Sequence, residues 1–228
     1  EENSRLKTLL SKHGISYEES KQEPTPVVSK SENKDSAMQR LSLQEKVKLF
    51  RSIFKGREDV FAKRWYSDVT KKSGYQPVCE REWNSEFCDK RKYKCTECPN
   101  RLFASLTDEH IYNHLAGKDN FGRDVVGVYP IMSDNTCNFL CTDFDDKSCE
   151  HGFQNDVLAF VGICKEWEIP CYIERSRSGN GAHVWIFFET SITTTKARKL
   201  GMTILSEAMN KDARLSFNSY DRFFPNQD

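Results

Sequence analysis

The stretch from Val125 to Asp228 predicts an α+β fold, and three observations carry that expectation. β-Rich and helix-period segments follow one another in the order strand, strand, helix, strand, strand, helix, strand. The turn Ser176–Arg177–Ser178–Gly179–Asn180–Gly181 contains Asn-Gly, a strong hairpin signal, between two of those strands. Both helical segments are apolar along a single stripe: Val157, Phe160, Val161, Cys164 and Trp167 in one, Leu200, Ile204, Leu205 and Ala208 in the other. Each helix therefore has one face to bury, which describes an antiparallel-rich sheet with helices on one side.

The 228 residues suffice for one large domain or two small ones with real cores. Charged residues make up 30% and mean hydropathy is -0.70, as in a soluble protein. No stretch approaches the roughly 18 uninterrupted apolar residues of a membrane span. The start, Glu1–Glu2–Asn3–Ser4–Arg5, has no apolar signal core and no initiator Met, so a processed or excised fragment is expected. Nine cysteines, an odd number without a secretory signal, point to intracellular, cytoplasmic thiols plus a metal site rather than a disulfide framework. A formal net charge of zero leaves nucleic-acid partners open, since acidic metal sites can cancel basic faces.

In chain order, Leu6, Leu9 and Leu10 predict a short helix over 1–17 that stops at Gly14, the end of a coiled coil through which copies could associate. Residues 18–40, rich in Ser, Lys, Glu and Pro, read as a disordered linker. From 41 to 228 a single folded region is expected. Ser42 with Glu45 three positions on is a capping box, and Val47, Leu49, Phe50, Ile53 and Phe54 form a helical stripe that ends at Gly56. Phe61, Trp65 and Tyr66, interleaved with Arg57, Lys63 and Arg64, read as a helix with a packed aromatic face. The competing reading is contact with a nucleic-acid backbone.

Cys79, Cys88, Cys95 and Cys98 follow with the spacing C-x8-C-x6-C-x2-C, suited to a closed tetrahedral zinc site over 79–98. Four bases between Asp89 and Lys94 suit a module lying near phosphates. Two alternatives stand beside this. Cys95, Cys98, His110 and His114, the histidines four apart on a helix capped by Thr107, nearly match a two-Cys, two-His finger. The thiols could also be unmetallated.

The second strand of the α+β region ends in Cys141–Thr142–Asp143–Phe144–Asp145–Asp146. Side chains alternate along a strand, so Asp143 and Asp145 share a face while Phe144 packs on the other. Two carboxylates so placed repel unless a cation lies between them, which makes a plausible seat for a divalent ion; an acidic turn is the plainer reading. Asp146 is a weaker candidate on Phe144's face. His183 begins the strand after the Gly-rich turn, beside Arg175 and Arg177, where backbone N–H groups and guanidiniums suit phosphate oxygens. Asp221, on the last strand, is a third carboxylate candidate. Three carboxylates, a histidine and arginines near such a turn suit two-metal phosphoryl or nucleotidyl transfer.

The set Asp143-Phe-Asp145, Ser178-Gly-Asn-Gly-Ala-His183 and Tyr220-Asp221 resembles the three motifs of archaeo-eukaryotic primases. With the flanking GVYPIMSDNTCNFLCTDFD, ERSRSGNGAHVWIFF, SYDRFFPNQD and KCTECPNR, it is similar to the primase domain of TOTE conflict-system proteins, from about Leu49 to Asp228. The resemblance implies an RNA-recognition-motif-like catalytic half, placed here at 125–228, packed on an N-terminal α/β half with a zinc-binding insertion. It implies primase-polymerase chemistry with Mg²⁺ or Mn²⁺, with Asp143, Asp145 and Asp221 holding the metals and His183 contacting the triphosphate. Arg175, Ser178 and Asn180 join them as phosphate contacts on chemical grounds. Gly181 stands where many relatives have Ser, and the chain ends a few residues after the third motif, where relatives continue into helicase and nuclease regions.

The expected function is thus a template-dependent nucleotidyltransferase that makes or extends primers, with catalytic Mg²⁺ or Mn²⁺ and structural Zn²⁺. Its partners would be a single-stranded DNA or RNA template and dNTP or NTP. The rival readings are a non-catalytic zinc-containing nucleic-acid-binding module and a metal-dependent nuclease.

Overall fold

In the computed structural model the described residues are 41–95, 97–145, 152–212 and 217–226. The helix expected over 1–17, the linker over 18–40 and Asp146 lie outside them. Helix α1 (Leu43–Ile53) opens with the expected capping box: Ser42 Oγ accepts from the Glu45 amide, and the Glu45 carboxylate accepts from the Ser42 amide. Its Val47 joins Phe61, Leu106 and Ile111 in a small core.

The next stretch is a strand, not the predicted helix. β1 (Phe61–Tyr66) pairs with β2 (Ser73–Pro77) on one side and β3 (Val126–Val128) on the other, giving an antiparallel sheet β2-β1-β3. Long-range pairing decides this: Trp65 lies opposite Gly74, and its indole occupies the space where a side chain on that glycine would stand. Aromatic residues fit a pleated surface at least as well as a helix. β2, five residues with a Gly and a Pro, carries no strand signal of its own. Helix α2 (Asp108–Ala116) starts at Thr107 as expected and ends at Gly117 in the left-handed region, with φ 55°.

The catalytic-half expectation placed the strand near 125 in the main sheet, yet β3 belongs to the first one. The main sheet comprises β4 (Thr136–Asp145), β5 (Tyr172–Arg175), β6 (Gly181–Thr193) and β7 (Tyr220–Phe224) in the order β5-β6-β4-β7. All neighbours are antiparallel. With α3 (Gly152–Glu166) after β4 and α4 (Thr194–Lys211) after β6, this is the split β-α-β arrangement of ferredoxin-like and RNA-recognition folds. The predicted α+β class holds.

Both helices pack against one face of the sheet. Leu140, Phe144, Val184 and Ile186 from the strands meet Phe160, Ile163, Ile204 and Ala208 from the helices. Phe144 is wholly buried, worth about 1.5–3 kcal/mol relative to an exposed ring. The opposite face is divided along its length. At one end Phe139, Trp185 and Phe187 cluster, and Phe54, just beyond α1, packs edge-on against Trp185 and Phe187 at 5.1 and 5.7 Å. The other end carries Asp143, Asp145 and His183. No helix among the described residues is long and apolar enough to cross a membrane.

Candidate active site

Alternation along β4 puts Phe144 into the core and turns Asp143 and Asp145 to the other face, as the sequence predicts. Asp221 reaches the same place by a different route. Asp143 pairs with Arg222, but Phe144 pairs with Tyr220, so β7 holds one extra residue, Asp221, between those two rungs. Such a bulge re-aims the inserted side chain. One carboxylate oxygen from each of Asp143, Asp145 and Asp221 lies within 4.8 Å of the others. Among the described residues, this is the single group of three or more His, Cys, Asp or Glu side chains that converges so closely.

The loop before β7 is anchored by polar contacts the sequence does not advertise. Asp156, buried on α3, accepts from the Ser219 hydroxyl at 2.6 Å and from its amide at 3.3 Å. Ser219 in turn accepts from the Asp145 amide at 2.8 Å. Helix α3, the end of β4 and the start of β7 are thereby tied together two residues from Asp221.

One rung crosses all four strands: Glu174, His183, Asp143 and Arg222 stand opposite one another. His183 Nε2 is 3.4 Å from Asp143 and Nδ1 is 3.2 Å from Glu174, whose same oxygen accepts from Trp185 Nε1 at 2.8 Å. Asp143 first and Glu174 second raise the His183 pKa to about 9, so the ring is cationic at neutral pH. His183 and the Trp185 indole hold the Glu174 carboxyl below its ordinary value. Arg222 Nε donates to Asp221 at 2.6 Å. Glu174, Arg222 and Asp156 escaped the sequence reading; only strand register reveals the first two, and only packing the third.

The Gly-rich turn sits beside this rung. Arg175 donates from Nε and Nη2 to the Gly179 carbonyl at 3.1 and 3.0 Å. Ser178 Oγ bonds Ser176 Oγ at 3.1 Å and accepts from the Asn180 amide at 3.3 Å. Gly181 stands opposite Asp145; a Cβ there would run into the Phe144 carbonyl oxygen and stop 3.0 Å from Asp145 Oδ1. Only glycine lets β6 approach β4 so closely at the acidic end.

Cys79, Cys88, Cys95 and Cys98 line one small cavity with Phe87, Lys90 and Arg101 among their neighbours. The Leu102 amide donates to Cys79 Sγ at 3.4 Å, the kind of contact a thiolate ligand receives. Their sulfurs are spread more widely than the three carboxylates. Neither His110 nor His114 lines that cavity. His110 Nδ1 accepts from the Thr107 amide at 3.2 Å within the cap of α2, and His114 Nδ1 accepts from the Val126 amide at 3.4 Å.

Three convergent carboxylates reached from solvent, beside a cationic histidine and a hairpin of polar groups, are suited to hard divalent ions and a polyanion. No curated protein matches the chain. A family model described as the archaeo-eukaryotic primase domain of TOTE conflict systems matches residues 45–228.

Proposed function

The chain belongs to the TOTE conflict-system archaeo-eukaryotic primase domain family, and on that premise we propose that it is a template-dependent nucleotidyltransferase that makes or extends primers. The observation that carries this reading is the convergence of Asp143, Asp145 and Asp221 beside His183, three motifs meeting on one open sheet face. In the proposed reaction a primer 3′-hydroxyl attacks the α-phosphate of a nucleoside triphosphate. A new O3′–P bond forms as the bond to the β-phosphate oxygen breaks, the hydroxyl proton passes to solvent water, and pyrophosphate leaves.

Asp143, Asp145 and Asp221 would hold Mg²⁺ or Mn²⁺, an oxygen donor set suited to such ions. Ions bound there would make the hydroxyl more acidic and offset the triphosphate charge. His183, held cationic by Asp143 and Glu174, would turn its Nε2 from Asp143 to a phosphate oxygen when nucleotide enters. The Arg175 guanidinium has five N–H donors, of which Gly179 engages two, leaving others for phosphate; Ser178 and Asn180 would add contacts from the turn. Cys79, Cys88, Cys95 and Cys98, gathered round one cavity, would hold a structural Zn²⁺, their four-sulfur donor set being the one that ion favours.

The test is extension of a labelled primer on a single-stranded DNA template with Mn²⁺ and each nucleotide type, alongside the Asp143→Ala/Asp145→Ala variant. Template-directed extension by the wild type, reduced at least about 100-fold in the variant, is expected. Shortening of the labelled strand would replace this reading with a nuclease. Binding without either reaction would leave a nucleic-acid-binding module.

A further inference from the structure

Along β1 only the Phe61 end is buried; Lys63 and Trp65 beyond it are exposed, and Ala62, Arg64 and Tyr66 are half-buried. Phe61 points into the core with Val47, Leu106 and Ile111, so Ala62, Arg64 and Tyr66 point the other way. Register sets Ala62 opposite both Gly127 and Pro77, and Arg64 opposite Tyr75. The floor is therefore low, and the Tyr75 ring lies across it, 3.7 Å from where a Gly127 side chain would begin. Tyr75 is 56% exposed. Beyond Tyr66 the loop before β3 adds Phe121, which stacks on Tyr66 at 5.0 Å with planes 13° apart. The Arg123 guanidinium stands 4.9 Å over Phe121 while pairing with Asp119 at 3.3 Å, and Arg64 donates to the Phe121 carbonyl.

This face is continuous with the hairpin that carries His183. The Arg177 guanidinium lies against Gly122, occupying the space a side chain there would need, and Arg177 belongs to the turn between β5 and β6. Aromatic rings on a low floor, flanked by three arginines, thus run from Tyr75 to the edge of the acidic cluster. Planar rings offer stacking to any base, and guanidiniums suit successive phosphates.

We propose that this face, with the Tyr75 and Phe121 rings exposed on it, carries single-stranded nucleic acid, with bases stacked on Tyr75 and on the Tyr66–Phe121 pair and phosphates held by Arg64, Arg123 and Arg177. Naming that strand the template rests on the polymerase reading; the binding itself does not. The face then leads the strand to the carboxylates along the Arg177–Gly122 contact.

The test is fluorescence anisotropy of a labelled oligothymidylate with the full chain, without metal or nucleotide, across a salt series. Tyr75→Ala is expected to weaken binding at least about fivefold while Tyr75→Phe restores it, because stacking needs the ring alone. Arg64→Gln and Arg177→Gln are each expected to make the slope of log affinity against log salt shallower by about 0.7. No binding by the wild type would overturn the proposal. So would affinities of folded Tyr75→Ala and Arg64→Gln, checked by circular dichroism, that stay within about twofold of wild type. Equal weakening of Tyr75→Ala on a blunt duplex would also overturn it, since paired bases cannot stack there. Absent extension with these binding effects intact would sink the polymerase reading alone. Normal extension with binding unmoved by the variants would sink this surface alone.

Discussion

His183 bridges carboxylates from two neighbouring strands, which makes its charge a source of stability as well as of chemistry. Its folded pKa of about 9 lies above the ordinary 6.5 because Asp143 and Glu174 favour the protonated ring. A raised pKa contributes stability that is fully present below about pH 6.5 and is lost as pH rises through about 9. Metal-free protein should therefore be more stable to urea at pH 6 than at pH 9.5, and His183→Gln should flatten that slope. An unchanged pH dependence in the variant would show that the ring does not carry it. Gly181 acts at the same scale: its missing Cβ admits the Phe144 carbonyl, so the motif's small residue sets the distance between two strands.

At the scale of elements, the decisive feature is the extra residue in β7. Without it Asp221 and Arg222 would alternate, one facing the helices and one the open face. With it, Asp221 joins Asp143 and Asp145. The Asp156–Ser219 contact holds the segment entering that bulge from helix α3. Asp156→Ala should cost about 1.5–3 kcal/mol in urea unfolding, the range for a buried hydrogen bond to a charged group. It should also weaken Mn²⁺ binding measured by calorimetry, although Asp156 is not among the three converging carboxylates. Full retention of metal affinity would separate the anchor from the site.

At the scale of the molecule, one sheet face serves two purposes. Its aromatic end takes Phe54 from the N-terminal half, and its acidic end stays open. A polar contact reinforces the junction, the Asn138 side chain on β4 donating to the Lys55 carbonyl at 3.5 Å. Phe54→Ala should destabilise the protein by about 2–3 kcal/mol, less than a fully buried ring would, because Phe54 is only partly buried. Chemical denaturation followed by tryptophan emission would check this, since Trp185 lies in the contact.

Much of this was legible beforehand wherever the deciding interaction is local. The caps at Ser42 and Thr107, the stripes of α3 and α4, and the placement of Asp143 and Asp145 on one side of a strand follow from spacings of two to four residues. The three-motif set already identified the family on residues far apart in the chain. What the local pattern could not decide was pairing. Phe61–Tyr66 reads locally as a helix and becomes a strand only because β2 and β3 pair with it, and β3 joins the first sheet because its partner is β1. Glu174, Arg222 and Asp156 enter the site through register, a bulge and a buried contact. Local spacing settles the two capped helices, the helices and strands after Thr136, and the shared face of Asp143 and Asp145. Which strands pair, how Asp221 joins the other two carboxylates and which further charges meet them is fixed in the folded chain alone, because those contacts depend on residues brought together from distant parts of the sequence.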